Sequence, residues 1–205
     1  MRHPKAAHRY ELLPSLVLGF HGTDVETAER VLAGEEHLKP SNNDYDWLGH
    51  GIYFWEYSPQ RALEFATQAR KDGKITQGKI KTPAVIGAVI DPGVCLNLLE
   101  ASALAQLKFA YEVLSVIDTP PANKGHELGA RFLDCAVIEM AHQLRQPGPG
   151  VLTNLKNYVP PYDSVRGAFW EGDELYPGAG FREKNHVQIC MRNPDCIKGY
   201  FRVID

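Results

Sequence analysis

The chain has 205 residues, of which 44% are hydrophobic and 23% charged. That is enough to bury a core in one elaborated domain without disulfides or metal, and it excludes wholesale disorder. The formal charge of −3 supplies no broad basic face, so tight electrostatic DNA binding is not expected, while a local basic patch stays open.

Residues 1–14 read as an arm of mixed charge, and 15–205 as a single domain. LVLGF (16–20) is too short for a signal-peptide core, and no stretch nears the ~18 apolar residues a membrane span needs. A cytoplasmic protein with no membrane partner is expected. Cys95, Cys135, Cys190 and Cys196 make no CxxC pair, and the histidines make no HExxH. Core thiols in a reducing compartment, and no metal site, follow as expectations.

In chain order, LVLGF reads as a short buried strand. Thr23 and Glu26 have capping-box spacing, predicting a helix with Val25, Ala28, Val31 and Leu32 on its inner face. Residues 39–50 (KPSNNDYDWLGH) form a loop. GIYFWE (51–56) is β-branched and aromatic, hence a strand. Ser58 caps the next helix, with Pro59 in its first turn and Ala62, Phe65, Ala66 and Ala69 along one side. PAVIGAVI (83–90) is another buried strand. Helices over 99–117 and 127–145, joined by DTPPANKG, lie in an insertion of about 95–150. The chain then returns to strands at SVRGAF (164–169), HVQICM (186–191) and IKGYFRVI (197–204). Strands at both ends with helices between them define an α+β pattern, not alternating βαβ units. No GxGxxG and no GxxxxGK[ST] occurs, which argues against Rossmann and P-loop chemistry.

Three places hold polar or small residues where a bland core would not. His21-Gly22 follows a buried strand, and glycine lets a planar ligand approach the main chain. Tyr53 lies on an aromatic strand flanked by Gly49 and Gly51 and offers a flat face for stacking. Gln188 interrupts an apolar strand, so it either faces solvent or has found partners. Each alone is compatible with plain core packing.

Taken together, FHGT, then GIYF followed by a Ser-initiated helix, then the late strand, resemble the catalytic core of the ADP-ribosyltransferases, in the diphtheria-toxin and poly(ADP-ribose) polymerase branch known for its His-Tyr-Glu triad. The resemblance covers residues 16–70 well and 183–200 loosely, and it leaves 95–150 unmatched. It implies a split, mixed or antiparallel β core with an inserted pair of helices. It implies NAD as substrate, no metal, and transfer of one ADP-ribose unit to a macromolecular acceptor, protein or RNA/DNA. His21 corresponds to the first triad member and Tyr53 to the second. The backbone of Gly22 would hold the nicotinamide amide, with Thr23 beside it. Phe65 or Tyr57 would supply a second aromatic.

The third position departs from the family. Gln188 stands where the family has Glu, in a frame that keeps Pro194 and Ile197-Lys198. An amide lacks the charge that steadies an oxocarbenium-like cation. Glu183 is the alternative, with Glu171, Glu174 and His186 behind it. The glycines of 171–185 suggest a mobile loop at the family's target-recognition position, with Tyr176 or Phe181 reaching the target. Arg166, Arg182, Lys184, Arg192 and Lys198 add local positive charge. A small transferase of this kind resembles the toxin of a toxin–antitoxin or anti-phage system, with an antitoxin as a further partner. The competing readings are an NAD glycohydrolase and an inactive module that binds NAD, ADP-ribose or a partner.

Overall fold

In the computed structural model, which describes residues 16–124, 130–146 and 159–204, the first strand runs through the histidine instead of stopping before it. β1 is Val17–Asp24 and pairs with β3 (Pro83–Ile90) in eight antiparallel steps from Val17↔Ile90 to Asp24↔Pro83. This long ladder carries His21, Gly22 and Thr23 in extended conformation. The predicted Thr23 cap is therefore corrected. Thr23 stays in the strand opposite Ala84, and Asp24 is the residue that starts α1 (Val25–Leu32). The Asp24 carboxylate accepts from the backbone N–H groups of Glu26 at 3.0 Å, Lys81 at 2.7 Å and Thr82 at 2.8 Å. It caps the helix and pins the entry to β3 at once. Its pKa lies below the usual carboxylate value, chiefly through the Thr82 hydrogen bond.

The remaining strands are β2 (Ile52–Glu56), β4 (Cys95–Asn97), β5 (Ser164–Phe169), β6 (His186–Met191) and β7 (Ile197–Arg202). The helices are α2 (Pro59–Lys71), α3 (Ala101–Ile117) and α4 (Phe132–Gln143). The fold is α+β, with one seven-stranded sheet in the order β4-β5-β6-β2-β1-β3-β7. Its pairings are antiparallel except β4 with β5, which is parallel. β4 was not expected, since three residues are too few to show a period. The arm 1–14, the first residues of the predicted 127–145 helix and the Gly-Pro-Gly at 148–150 lie outside the described residues. Ser58 precedes α2 as expected, but its side chain makes no capping bond.

Alternation assigns the core to two faces. Ile52, Phe54, Ile86, Ala88, Ile90, Ile189 and Met191 share one, with Val31 of α1 and Leu38 packed on it. On the other, Val165, Cys190 and Leu96 lie under α3 and α4. Phe20 and Trp55 lie on that same face under Ala62 and Phe65 of α2. Gln188, two residues before Cys190, falls between these helical patches. Across the first face, Arg166 of β5 reaches Glu56 of β2 with two bonds of 2.5 and 2.9 Å, spanning β6. All four cysteines are free and buried. Among the described residues no helix is long and apolar enough to cross a membrane, and no cluster of His, Cys, Asp and Glu could hold a metal ion.

Asp24→Ala would orphan three backbone donors in one step. Urea unfolding is expected to show a loss of about 2–3 kcal/mol, with Asp24→Asn losing about half of that.

Candidate functional site

β1 and β2 pair only at Gly19↔Glu56 and Phe20↔Trp55, although β1 continues to Asp24. Two backbone bonds fix which residues face that open edge. Tyr57 N–H donates to the Leu18 carbonyl on the β2 side at 3.0 Å, and Val25 N–H donates to the Thr82 carbonyl on the β3 side at 2.9 Å. Backbone direction alternates along a strand, so Leu18, Phe20 and Gly22 all aim their N–H and C=O groups toward β2. At Gly22 the ladder has already parted. The sheet thus holds a backbone donor and acceptor on one glycine at a gap between two neighbouring strands.

The His21 ring lies along this gap, with Nδ1 2.8 Å from the Tyr53 carbonyl oxygen. A carbonyl only accepts, so Nδ1 carries the proton and Nε2 is left as an acceptor. Burial lowers the His21 pKa against the opposing pull of the Tyr53 bond, which favours the neutral ring. Behind Gly22 the packing is tight. A Cβ there would stand 2.1 Å from the Ala62 carbonyl oxygen and 3.3 Å from the Ala66 Cβ. Only glycine allows β1 and α2 this approach.

Tyr53 and Gln188 occupy one face of adjacent strands, with Tyr53↔Cys190 and Trp55↔Gln188 in register. The Tyr53 hydroxyl donates to the Gly49 carbonyl at 2.7 Å and accepts from Leu48 N–H at 3.0 Å. Its ring is locked to the 41–51 loop, and burial raises its pKa. Glu139 of α4 holds the same loop from outside. It accepts from His50 N–H at 2.9 Å and from the Arg192 guanidinium at 2.5 and 3.1 Å. Burial works to raise its pKa, but the bonds from Arg192 and His50 outweigh it and keep the group ionised below the usual range.

Gln188 is buried, not solvent-facing, at 7% exposure. Its amide oxygen accepts the Trp47 indole N–H at 2.6 Å. Trp47 also borders an apolar groove of about 330 Å³ between α3 and α4, with Leu98, Leu107, Val137 and Ile138. That groove is apart from His21, and Trp47 is the residue the two places share. Phe65 packs against Trp55 with ring centres 5.0 Å apart, whereas Tyr57 is exposed with a φ of 50°.

The structure joins His21, next to Gly22, to the backbone carbonyl of Tyr53, and places Gln188 on β6 opposite Trp55, on the sheet face that carries the Tyr53 side chain. It does not bring in the other carboxylates. Glu183 is exposed on the β5–β6 connection, where its N–H donates to the Asp173 carbonyl at 3.0 Å. Glu171 pairs with Arg61 of α2 at 2.9 Å, and Glu174 accepts from Gly178 N–H at 2.9 Å. His186, one alternation step before Gln188, has a side chain only 3% exposed and a pKa lowered by burial. The 171–185 loop is built as a hairpin. Leu175 N–H donates to the Phe181 carbonyl at 3.0 Å and Lys184 N–H to the Glu171 carbonyl at 3.0 Å. Gly172 and Gly178 supply its positive-φ turns, at 86° and 79°. Leu175, Tyr176 and Phe181 stand exposed on it. Trp47 and Glu139 have no assigned role in the sequence reading, and Arg192 figures there only as local positive charge, because their partners are remote in the chain.

No family model and no solved structure matches the chain. It is 26% identical over 199 residues to the uncharacterized protein MJ0359 of Methanocaldococcus jannaschii, covering 87% of this chain and 83% of that one.

Tyr53→Phe keeps the ring and removes two hydroxyl bonds to the loop. Chemical denaturation is expected to show a loss of about 1–2 kcal/mol, and an unchanged midpoint would contradict the loop-clamping role.

Proposed function

We propose that the protein is a mono-ADP-ribosyltransferase that cleaves NAD at its nicotinamide–ribose bond and passes ADP-ribose to a macromolecular acceptor. The observation that carries this reading is the gap between β1 and β2, edged by the Gly22 N–H and C=O and by the Nε2 acceptor of His21. A carboxamide needs one donor and one acceptor in a plane, and the backbone of Gly22, beyond the last β1–β2 pair, supplies both. Tyr53, whose carbonyl meets His21 and whose hydroxyl is held by the 41–51 loop, would offer its ring for stacking. Nε2 of His21 accepts a ribose hydroxyl.

The step balances without a metal or an enzyme-bound intermediate. The bond from ribose C1′ to the nicotinamide nitrogen breaks, and its electron pair neutralises the pyridinium. An acceptor nucleophile then bonds to C1′ and releases its proton. These residues hold the leaving group and the ribose, so the rate gain comes chiefly from positioning. Gln188 gives no negative charge to the cation, in keeping with slow single transfer over chain elongation. The work this enzyme suits is that of a cytoplasmic toxin of a toxin–antitoxin or anti-phage system. The neutral Gln188 also supports a second reading, a module that binds NAD or ADP-ribose without turnover.

The test is nicotinamide release and label transfer from labelled NAD in a bacterial lysate. His21→Ala and Tyr53→Ala are expected to lower release on the order of 100-fold. Protease-sensitive label identifies a protein acceptor; RNase- or DNase-sensitive label identifies a nucleic acid. Because burial lowers the His21 pKa below the usual 6.5, release should stay on a plateau down to that pH and fall only below it, as Nε2 gains a proton. NAD-dependent thermal stabilisation without release would leave the binding module, and neither signal would end both readings.

A further inference from the structure

The Gln188 amide has one oxygen and one nitrogen, and its surroundings choose between them. An indole N–H can only donate, so the atom 2.6 Å from Trp47 Nε1 is the Gln188 oxygen. Trp47 is itself held in place. Its ring lies over Gly167 of β5, where a Cβ would stand 2.9 Å from Cη2, and it is tilted against Phe169 at 4.7 Å. Gly167 flanks Gln188 on one side and Trp55 flanks it on the other. An oxygen held by Trp47 over β5 leaves the NH₂ group on the side of Trp55 and β2. Flipping the amide would set donor against donor and leave a buried indole N–H without an acceptor, disfavouring that rotamer by about tenfold or more.

We infer that Trp47 is a positioning residue that locks Gln188 as a hydrogen-bond donor, so the third position takes a sugar oxygen lone pair through a neutral N–H. This rests on reading the gap as the NAD site. A neutral donor binds ground state and transition state nearly alike, so its loss raises KM more than it lowers kcat. A carboxylate in the same place behaves differently. Its two oxygens are equivalent, so one keeps the Trp47 bond and the other faces the gap whichever way it turns.

The experiment is a double-mutant cycle with Trp47→Phe and Gln188→Glu, read as kcat and KM for nicotinamide release. Trp47→Phe, which keeps the packing on Phe169, is expected to raise KM about three- to tenfold with kcat changed less than about twofold. Gln188→Glu is expected to raise kcat about tenfold, through charge on the developing cation. In the Gln188→Glu background the Trp47→Phe effect on KM should shrink to under about twofold. A merely structural Trp47 would cost the same in both backgrounds, and that result overturns the inference.

A second readout does not depend on turnover. The Trp47 indole N–H should be protected from exchange in a ¹⁵N–¹H spectrum, absent in Trp47→Phe, and exchanging freely in Gln188→Leu. An unprotected wild-type resonance overturns the lock. A protected resonance in a protein that neither binds nor cleaves NAD overturns the reading of the gap instead.

Discussion

The hydrogen bond from His21 Nδ1–H to the Tyr53 carbonyl stands where a backbone bond between β1 and β2 would otherwise form. A gap in a sheet exposes backbone groups that need partners. Here a side chain satisfies the Tyr53 carbonyl, fixes the imidazole tautomer and leaves Nε2 as an acceptor. The Gly22 N–H and C=O remain directed at the open edge. One interaction thereby stands at the end of the ladder and leaves polar groups along it.

The surrounding structure braces both margins of this gap. On one side, Asp24 anchors the end of β1 to the start of β3, and β1 meets β3 in unbroken register. On the other, β2 is tied to β6, and the loop before β2 is held from within by the Tyr53 hydroxyl and from outside by Glu139 and Arg192. The helical insertion thus does mechanical work, since α4 fixes the loop that carries Trp47. Trp47 in turn fixes Gln188. The two margins of the gap belong to separately braced parts of one sheet.

Much of the fold was legible because it rests on local pattern. The apolar and aromatic runs at 51–56, 83–90, 164–169 and 186–191 are strands, and the positions of the helices follow from their spacing. Local rules failed where a distant partner decided the outcome. Thr23 and Glu26 matched a capping box, but pairing with β3 kept Thr23 extended and gave the cap to Asp24. Within 171–185, Gly172 and Gly178 supply the positive-φ turns of a bonded hairpin, a role glycine signals in the sequence without fixing the turn. His21 and Tyr53 stand out in the sequence as two motifs, and the structure joins them through the Tyr53 backbone carbonyl. The indole that orients Gln188 does not stand out, since 141 residues separate the two and neither segment carries a signal of the other.

The most direct test of the central claim is an amide and imidazole NMR titration of the protein with NAD. With NAD in the gap, the Gly22 N–H and the His21 Nε2 resonances shift first and together, saturating at one dissociation constant, with Tyr53 ring signals following the same curve. Shifts confined to the groove between α3 and α4, or to the 171–185 hairpin, with Gly22 and His21 unmoved at saturating NAD, would contradict it.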